Sequence, residues 1–188
     1  MCVIRSFCDR PMIAYSIIAA LESEQFSEVI VSTDDEETRD IAESYGAKVP
    51  FLRPSELAVD HTPTVPVVAH AIETCKEIGW DVNYVACIYA TVPFIKATDL
   101  RVARKVLGNS QIAYSFPVCE HASPVQRALV IDEYNTASPM FPENELTRTQ
   151  DLAKAYFDAG QFYWGHKNAW RNNPNIHQNA KIINIPKW

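Results

Sequence analysis

EVIVSTDDEETRDIAESYGAKVPF, residues 28–51, is the stretch on which the fold turns. Glu28 to Thr33 is a short β-branched run, too brief for a helix, and it predicts a buried strand. Thr38 to Tyr45 then reads as helical, and Gly46 supplies a C-terminal stop because glycine enters the left-handed region without a Cβ clash. Lys48 to Phe51 resumes an extended segment. Strand, helix and strand in so short a span form the repeating unit of a parallel sheet.

The same rhythm continues outward. Pro11, well placed at a first turn, opens a helix-spaced run through Leu21. Val65 to Ile78 predicts a helix, NYVACIYA (83–90) a strand, and Thr98 to Leu107 a helix closed by Gly108. IAYSFPV (112–118), GQFYWG (160–165) and KIINIP (181–186) read as further strands. The expected class is α/β, a Rossmann-like, mostly parallel sheet flanked by helices, in one domain over residues 1–188. Residues 119–149 break the alternation with three prolines and an expected hairpin strand at ALVI (128–131). That stretch predicts an insertion or a dimer-contact arm.

With 188 residues, 47% hydrophobic and 21% charged, the chain has the balance of a globular domain. A formal net charge of -6 argues against broad adhesion to nucleic acid or an anionic membrane, which both need a basic surface. Five cysteines without a C-x-x-C pair suit free thiols in a reducing compartment. The apolar run from Ile13 to Leu21 is interrupted by Tyr15 and Ser16. Neither a signal peptide nor a membrane span is expected, and the default location is the cytoplasm.

In open parallel sheets, ligands gather at the carboxyl ends of the strands. The segments falling there are STDDE, LRPSELAVDHTPT, YATVPFIKATD and the approach to AGQFYWG. Residues 51–65 are unusually rich in directional hydrogen-bonding groups. Taken alone, Arg53 would pair with Glu56 or Asp60 and fix the loop, while Thr62, Pro63 and Thr64 cap the next helix. His61 would hydrogen-bond the loop. Asp34 and Asp35 suit a helix start better than a metal site, and the five histidines show no metal-ligand spacing.

RPMIAYSIIAAL, EVIVSTDDEE, FLRPSELAVDHTP, YATVPF and RTQDLAKAYFDAGQFYWG occur in the order and spacing of the acylneuraminate cytidylyltransferases. The chain resembles that family over nearly its whole length, most closely the branch that activates pseudaminic acid. FDAGQFYW and Tyr89 carry that finer likeness. The resemblance implies a soluble, homodimeric transferase that joins CTP to a nine-carbon acid sugar and releases pyrophosphate. The anomeric hydroxyl attacks the α-phosphorus, and catalysis is mainly alignment and charge stabilisation.

Residue by residue, the resemblance places Arg53 against the cytosine, whose ring carbonyl and nitrogen accept from a guanidinium. Thr62 and Thr64 contact the same base, and Tyr89 and Thr91 face the nucleotide. Lys96, Arg148, Gln150, Asp158, Gln161 and Tyr163 are implied for the sugar, with Arg148 suited to a carboxylate. Phe162 and Tyr163 alternate across a strand, so one is expected in the core and one toward the crevice.

The family also has a first strand with a loop rich in Gly, Ser, Arg and Lys that cradles the triphosphate. An Asp-x-Asp pair later holds Mg²⁺. Neither lies within the 188 residues, so no metal ligand is assigned and slow turnover is expected of this stretch by itself. The alternative is a non-catalytic remnant that binds nucleotide or another subunit. A transferase for a different base is disfavoured by Arg53 and the threonine loop.

Overall fold

The computed structural model describes residues 3–59, 61–108 and 112–186. By its internal contacts the chain divides into two compact units. The first comprises Met1–Pro117 and Gly160–Ile183, the second Val118–Ala159 and Asn184–Trp188. The second holds the 119–149 stretch that interrupts the sequence rhythm.

The first unit opens on a two-residue hairpin, β1 (Ser6–Phe7) and β2 (Arg10–Pro11), leading into α1 (Met12–Ser23). Pro11 is the cap of α1 rather than its first turn. The helix carries Ile13, Ile17 and Ala20 on its buried face, the 3.6-residue spacing read from the sequence. Then follow α2 (Glu36–Ser44), α3 (Thr64–Glu77), β3 (Tyr84–Ile88), α4 (Ala97–Leu107) and β4 (Tyr114–Glu120). Gly46 and Gly108 both have positive φ at the ends of their helices. After the second unit the chain returns through β8 (Phe162–His166), α5 (Lys167–Asn172) and β9 (Ala180–Asn184).

The α/β class holds, while the pairing differs from simple parallel succession. β8 lies between β3 and β4 and is antiparallel to both, so β3 and β4 run the same way without touching. β9 pairs with β4. Glu28–Thr33, expected as a buried strand, is half-buried. It joins Lys48 and Leu52 only by isolated parallel bridges at Ile30 and Thr33. The backbone bonds Val31 N–H to Lys48, Lys48 N–H to Val29 and Arg53 N–H to Thr33 hold the segment extended, too sparsely spaced to form a continuous ladder.

Trp164, Trp170, Tyr114, Phe162, Leu100 and Leu107 are fully buried. Their polar atoms are matched: Trp164 Nε1 donates to the Leu100 carbonyl (3.1 Å), Trp170 Nε1 to that of Val85 (3.2 Å), and Tyr114 Oη to that of Asn173 (2.7 Å). Trp164 stacks on Phe26 with centroids 4.7 Å apart. These bonds remove the cost of burying N–H and O–H groups and fix how β8 sits against the helices.

The second unit contains β5 (Leu129–Ile131), β6 (Ala137–Pro139) and β7 (Tyr156–Asp158). β5 and β6 form an antiparallel hairpin at the ALVI segment, with Asn135 at φ 61 in its turn. β7 pairs with the end of β4 from Val118 to Glu120. Arg127 ties the arm's loops together by donating to the carbonyls of Asn144, Glu145 and Thr147. Among the described residues no helix is long and apolar enough to cross a membrane.

Candidate nucleotide site

A cavity of about 850 Å³ opens in the first unit between Glu28–Ser32, β3, α1 and α3. Its walls are mostly apolar, from Ile13, Ile17, Val68, Ile72 and the β-branched residues of the two extended segments. Cys87 also lines it, and burial pushes that thiol up to about 12, so it is protonated and unreactive at neutral pH. The lining is polar toward the Arg53 loop, with Ser32, Arg53, Thr62, Thr64 and Tyr89, and Gln25, Glu28, Asp81, Asn83 and Arg104 line it as well.

Arg53 is anchored by its backbone. Its N–H donates to the Thr33 carbonyl (2.8 Å), so the loop starts from the end of the Glu28–Thr33 segment. Its side chain turns to Asp34 and not to Glu56. Nη2 reaches Asp34 Oδ1 at 3.4 Å, and Asp60 lies outside the described residues. That long, half-exposed contact leaves Arg53 Nε buried and without a partner.

Thr62 also departs from the capping expectation. Its Oγ1 is buried and unpartnered, and the cap of α3 is Pro63, with no side-chain cap bond. Thr64 begins α3 and its hydroxyl meets Tyr89 Oη at 3.2 Å. Tyr89 is held at both backbone groups: its N–H donates to Gln161 (3.0 Å) and its carbonyl accepts from Ser16 Oγ (2.7 Å). This fixes the aromatic ring at the polar end of the cavity.

Gln161 is buried, 7% exposed, and its Oε1 has no partner. Phe162 and Tyr163 are both buried, so the expected split of one in the core and one in the crevice is not seen. Tyr163 instead packs edge-on to Tyr89, centroids 5.8 Å apart, and against Phe116. Bulky rings occupy both sides of β8, which closes its two faces.

Other expected residues lie elsewhere. Thr91 is exposed in the turn after β3. Lys96 is the cap of α4 and lines a separate cleft with Arg10, Tyr15, Glu22 and Arg101. In the second unit, Arg148 and Gln150 are exposed around a short 3-10 turn, and Asp158 is half-buried on β7 opposite Val118.

The acids after the first extended segment do not form a metal centre. Asp35 caps α2, its Oδ2 accepting from Thr38 Oγ1 (2.6 Å) and N–H (2.7 Å), and these bonds hold its carboxyl below the usual range. Asp34 faces Arg53. Among the described residues no three His, Cys, Asp or Glu side chains are grouped to hold an ion.

Ser32 was not singled out by sequence reasoning, and neither was Ser16. The available signal for Ser32 was a hydroxyl at the carboxyl end of a β-branched run, where ligands gather.

Comparison with known proteins accords with this geometry. The cytidylyltransferase family model matches residues 3–182. A pseudaminic acid cytidylyltransferase of Campylobacter jejuni is 39% identical over 164 residues, 87% of this chain and 71% of that protein. An N-acylneuraminate cytidylyltransferase of Escherichia coli is 39% identical over 133 residues, 69% of this chain and 30% of its own length. The solved structure of a CMP:2-keto-3-deoxy-manno-octonic acid synthetase complexed with CTP superposes with a TM-score of 0.67. It covers 98% of this chain and 83% of its own at 16% identity, a likeness of fold. With its matched length, its α/β sheet and its polar-ended cavity, the chain belongs to the cytidylyltransferase family.

Proposed function

We propose that the chain joins CTP to a nine-carbon acid sugar, pseudaminic acid or a related sialic acid, giving the CMP-sugar and pyrophosphate. The observation that carries this reading is the buried, unpartnered Nε of Arg53 at the polar end of the cavity. A guanidinium only donates. Cytosine presents O2 and N3 as adjacent acceptors, whereas uracil carries a hydrogen on N3 that would oppose a donor. The site is therefore complementary to cytosine, with Thr62, Thr64 and Tyr89 beside it. The sugar class is supported by the similarity to the pseudaminic acid cytidylyltransferase.

In the reaction, the sugar's anomeric oxygen forms a bond to the α-phosphorus as the bond to pyrophosphate breaks. The chain's part is to align the two substrates. Arg53 and the threonines hold the base. Gln161, with its unpartnered amide oxygen, can accept from a sugar hydroxyl or amide and is assigned to the sugar. The resemblance implies Mg²⁺, but Asp35 is taken up by Thr38, and among the described residues no three His, Cys, Asp or Glu side chains are grouped to fit an ion. No step is derived through one.

Isothermal titration with CMP and UMP tests the reading. CMP should bind about 10- to 100-fold more tightly, the range expected when a buried donor meets a matching rather than an opposing edge. Arg53→Ala should abolish the preference while leaving the fold intact. Equal affinities in the wild-type chain would overturn the assignment.

We further propose a homodimer formed through the second unit, working in the cytoplasm; among the described residues Cys8, Cys75, Cys87 and Cys119 are free. Leu129, Val130, Ile131, Tyr134 and Met140 are exposed there, and Leu146 is 99% exposed. Such a concentration of apolar surface marks a contact area. Sedimentation should give twice the monomer mass at micromolar concentration, and Ile131→Lys with Leu146→Lys should halve it. A wild-type monomer at all concentrations would rule this out.

A further inference from the structure

The Glu28–Thr33 segment and β3 each have one open backbone edge, and both edges border the cavity of about 850 Å³. The Val29 carbonyl, the Val31 N–H and the Thr33 carbonyl bond to Lys48 and Arg53. Peptide groups alternate in direction along an extended chain, so those of Ile30 and Ser32 turn the other way, into the cavity. On β3 the ladder with β8 takes up Val85 and Cys87, and Ala86 and Ile88 turn to the cavity from its far side. Among the described residues none of these four N–H groups has a backbone partner across the gap.

The two edges run the same way. At one end Lys48 bonds Glu28 (2.7 Å) and lies over the ring of Trp80, which precedes β3. At the other, Arg53 bonds Thr33, and Thr64 at the close of the same loop meets Tyr89, which follows β3. Between the edges the walls are apolar, with Ile13, Ile17 and Ala20 from α1 and Val68, Ala71 and Ile72 from α3. The charges at the Glu28 end are already engaged: Glu28 with Lys48, Asp81 with Lys167, and Arg104 over the Tyr84 ring.

Two rows of unpaired peptide groups beside an apolar space are costly, and one more strand would satisfy both. A strand residue takes up about 3.3 Å along the chain, about 4.8 Å across the sheet and about 10 Å between layers, roughly 160 Å³. The cavity of about 850 Å³ therefore holds about five residues, the length of β3 itself.

We infer that this gap is a docking site for one extended, uncharged peptide strand of about five residues, lying parallel to both edges and hydrogen-bonded to each. Another kind of apolar ligand would fill the volume and leave both rows unpaired. A charged strand would bury its charges without a free partner between the edges. The inference is independent of the base reading, because it uses the apolar stretch between the edges and not the Arg53 loop.

The test adds a synthetic probe, acetyl-KKVAVIVKK-amide, to the whole chain; its lysines fall outside the gap and keep it soluble. Amide exchange followed by NMR should slow at least about 10-fold at Ile30, Ser32, Ala86 and Ile88, with Val85 and Cys87 little changed. The melting midpoint should rise with probe concentration. The same peptide with proline at its centre lacks a donor there and makes a poor inner strand, so it should do neither. The inference is overturned if the probe leaves the four amides exchanging as before. It also fails if the proline peptide slows them equally, since apolar contact without backbone pairing would then suffice. Protection of the same amides that grows with protein concentration, without any peptide, would assign the gap to a second copy of the chain and overturn it as well.

Discussion

Arg53 and Gly165 show how differently single residues can be read from a sequence. Arg53 stands out in its loop because a lone cation among apolar neighbours needs a partner, although Asp34 as that partner was not legible. The contact spans 19 positions and depends on where the loop rejoins the sheet. Ser32 was hidden by its surroundings, since a serine at a strand end is common and only the missing partner distinguishes it. Gly165 gives no local signal either. It lies within β8 at an ordinary φ, yet a Cβ there would meet Trp170 Nε1 at 2.7 Å and the Tyr114 ring at 2.8 Å. Both rings are fully buried and bonded, so neither can move aside cheaply. Gly165→Ala should therefore destabilise the chain by about 1–3 kcal/mol. Chemical denaturation that shows no loss would mean the two rings repack freely.

At the scale of elements, α1 to α4 were legible to within a residue or two, whereas the short α5 was not expected from the sequence at all. Their spacing and end signals are local: α3 runs Thr64–Glu77 against an expected 65–78, and Gly108 closes α4. Strand partners were not, because β8 pairs with β3 across more than 70 positions of intervening chain and periodicity carries no such information. That pairing has a readable consequence. Tyr89 N–H donates to Gln161, opposite it in register, so hydrogen-bonded pairs recur at Cys87 and Val85. The N–H groups of Ala86 and Ile88 then point away from β8, on the edge that borders the cavity. Amide hydrogen exchange should be at least about 10-fold faster at Ala86 and Ile88 than at Val85 and Cys87, because only the latter sit in the ladder. Uniform protection along β3 would show a second partner on that edge.

For the molecule as a whole, the α/β class followed from one strand-helix-strand reading, and the break in rhythm after Cys119 falls within the second unit. That unit's own interior was not legible, and it is slight. Among its described residues, Val118, Cys119 and Ile185 are the buried hydrophobics, whereas the first unit has the aromatic centre around Trp164 and Trp170. Local free energy of opening follows buried apolar contact, so it is unevenly spread along this chain. A calorimetric trace then reports chiefly the melting of the first unit. The hairpin of β5 and β6 can open at far lower cost, with little heat and no sharp transition. The ratio of van't Hoff to calorimetric enthalpy becomes a property of the arm as much as of the core, and one midpoint temperature does not describe the stability of both.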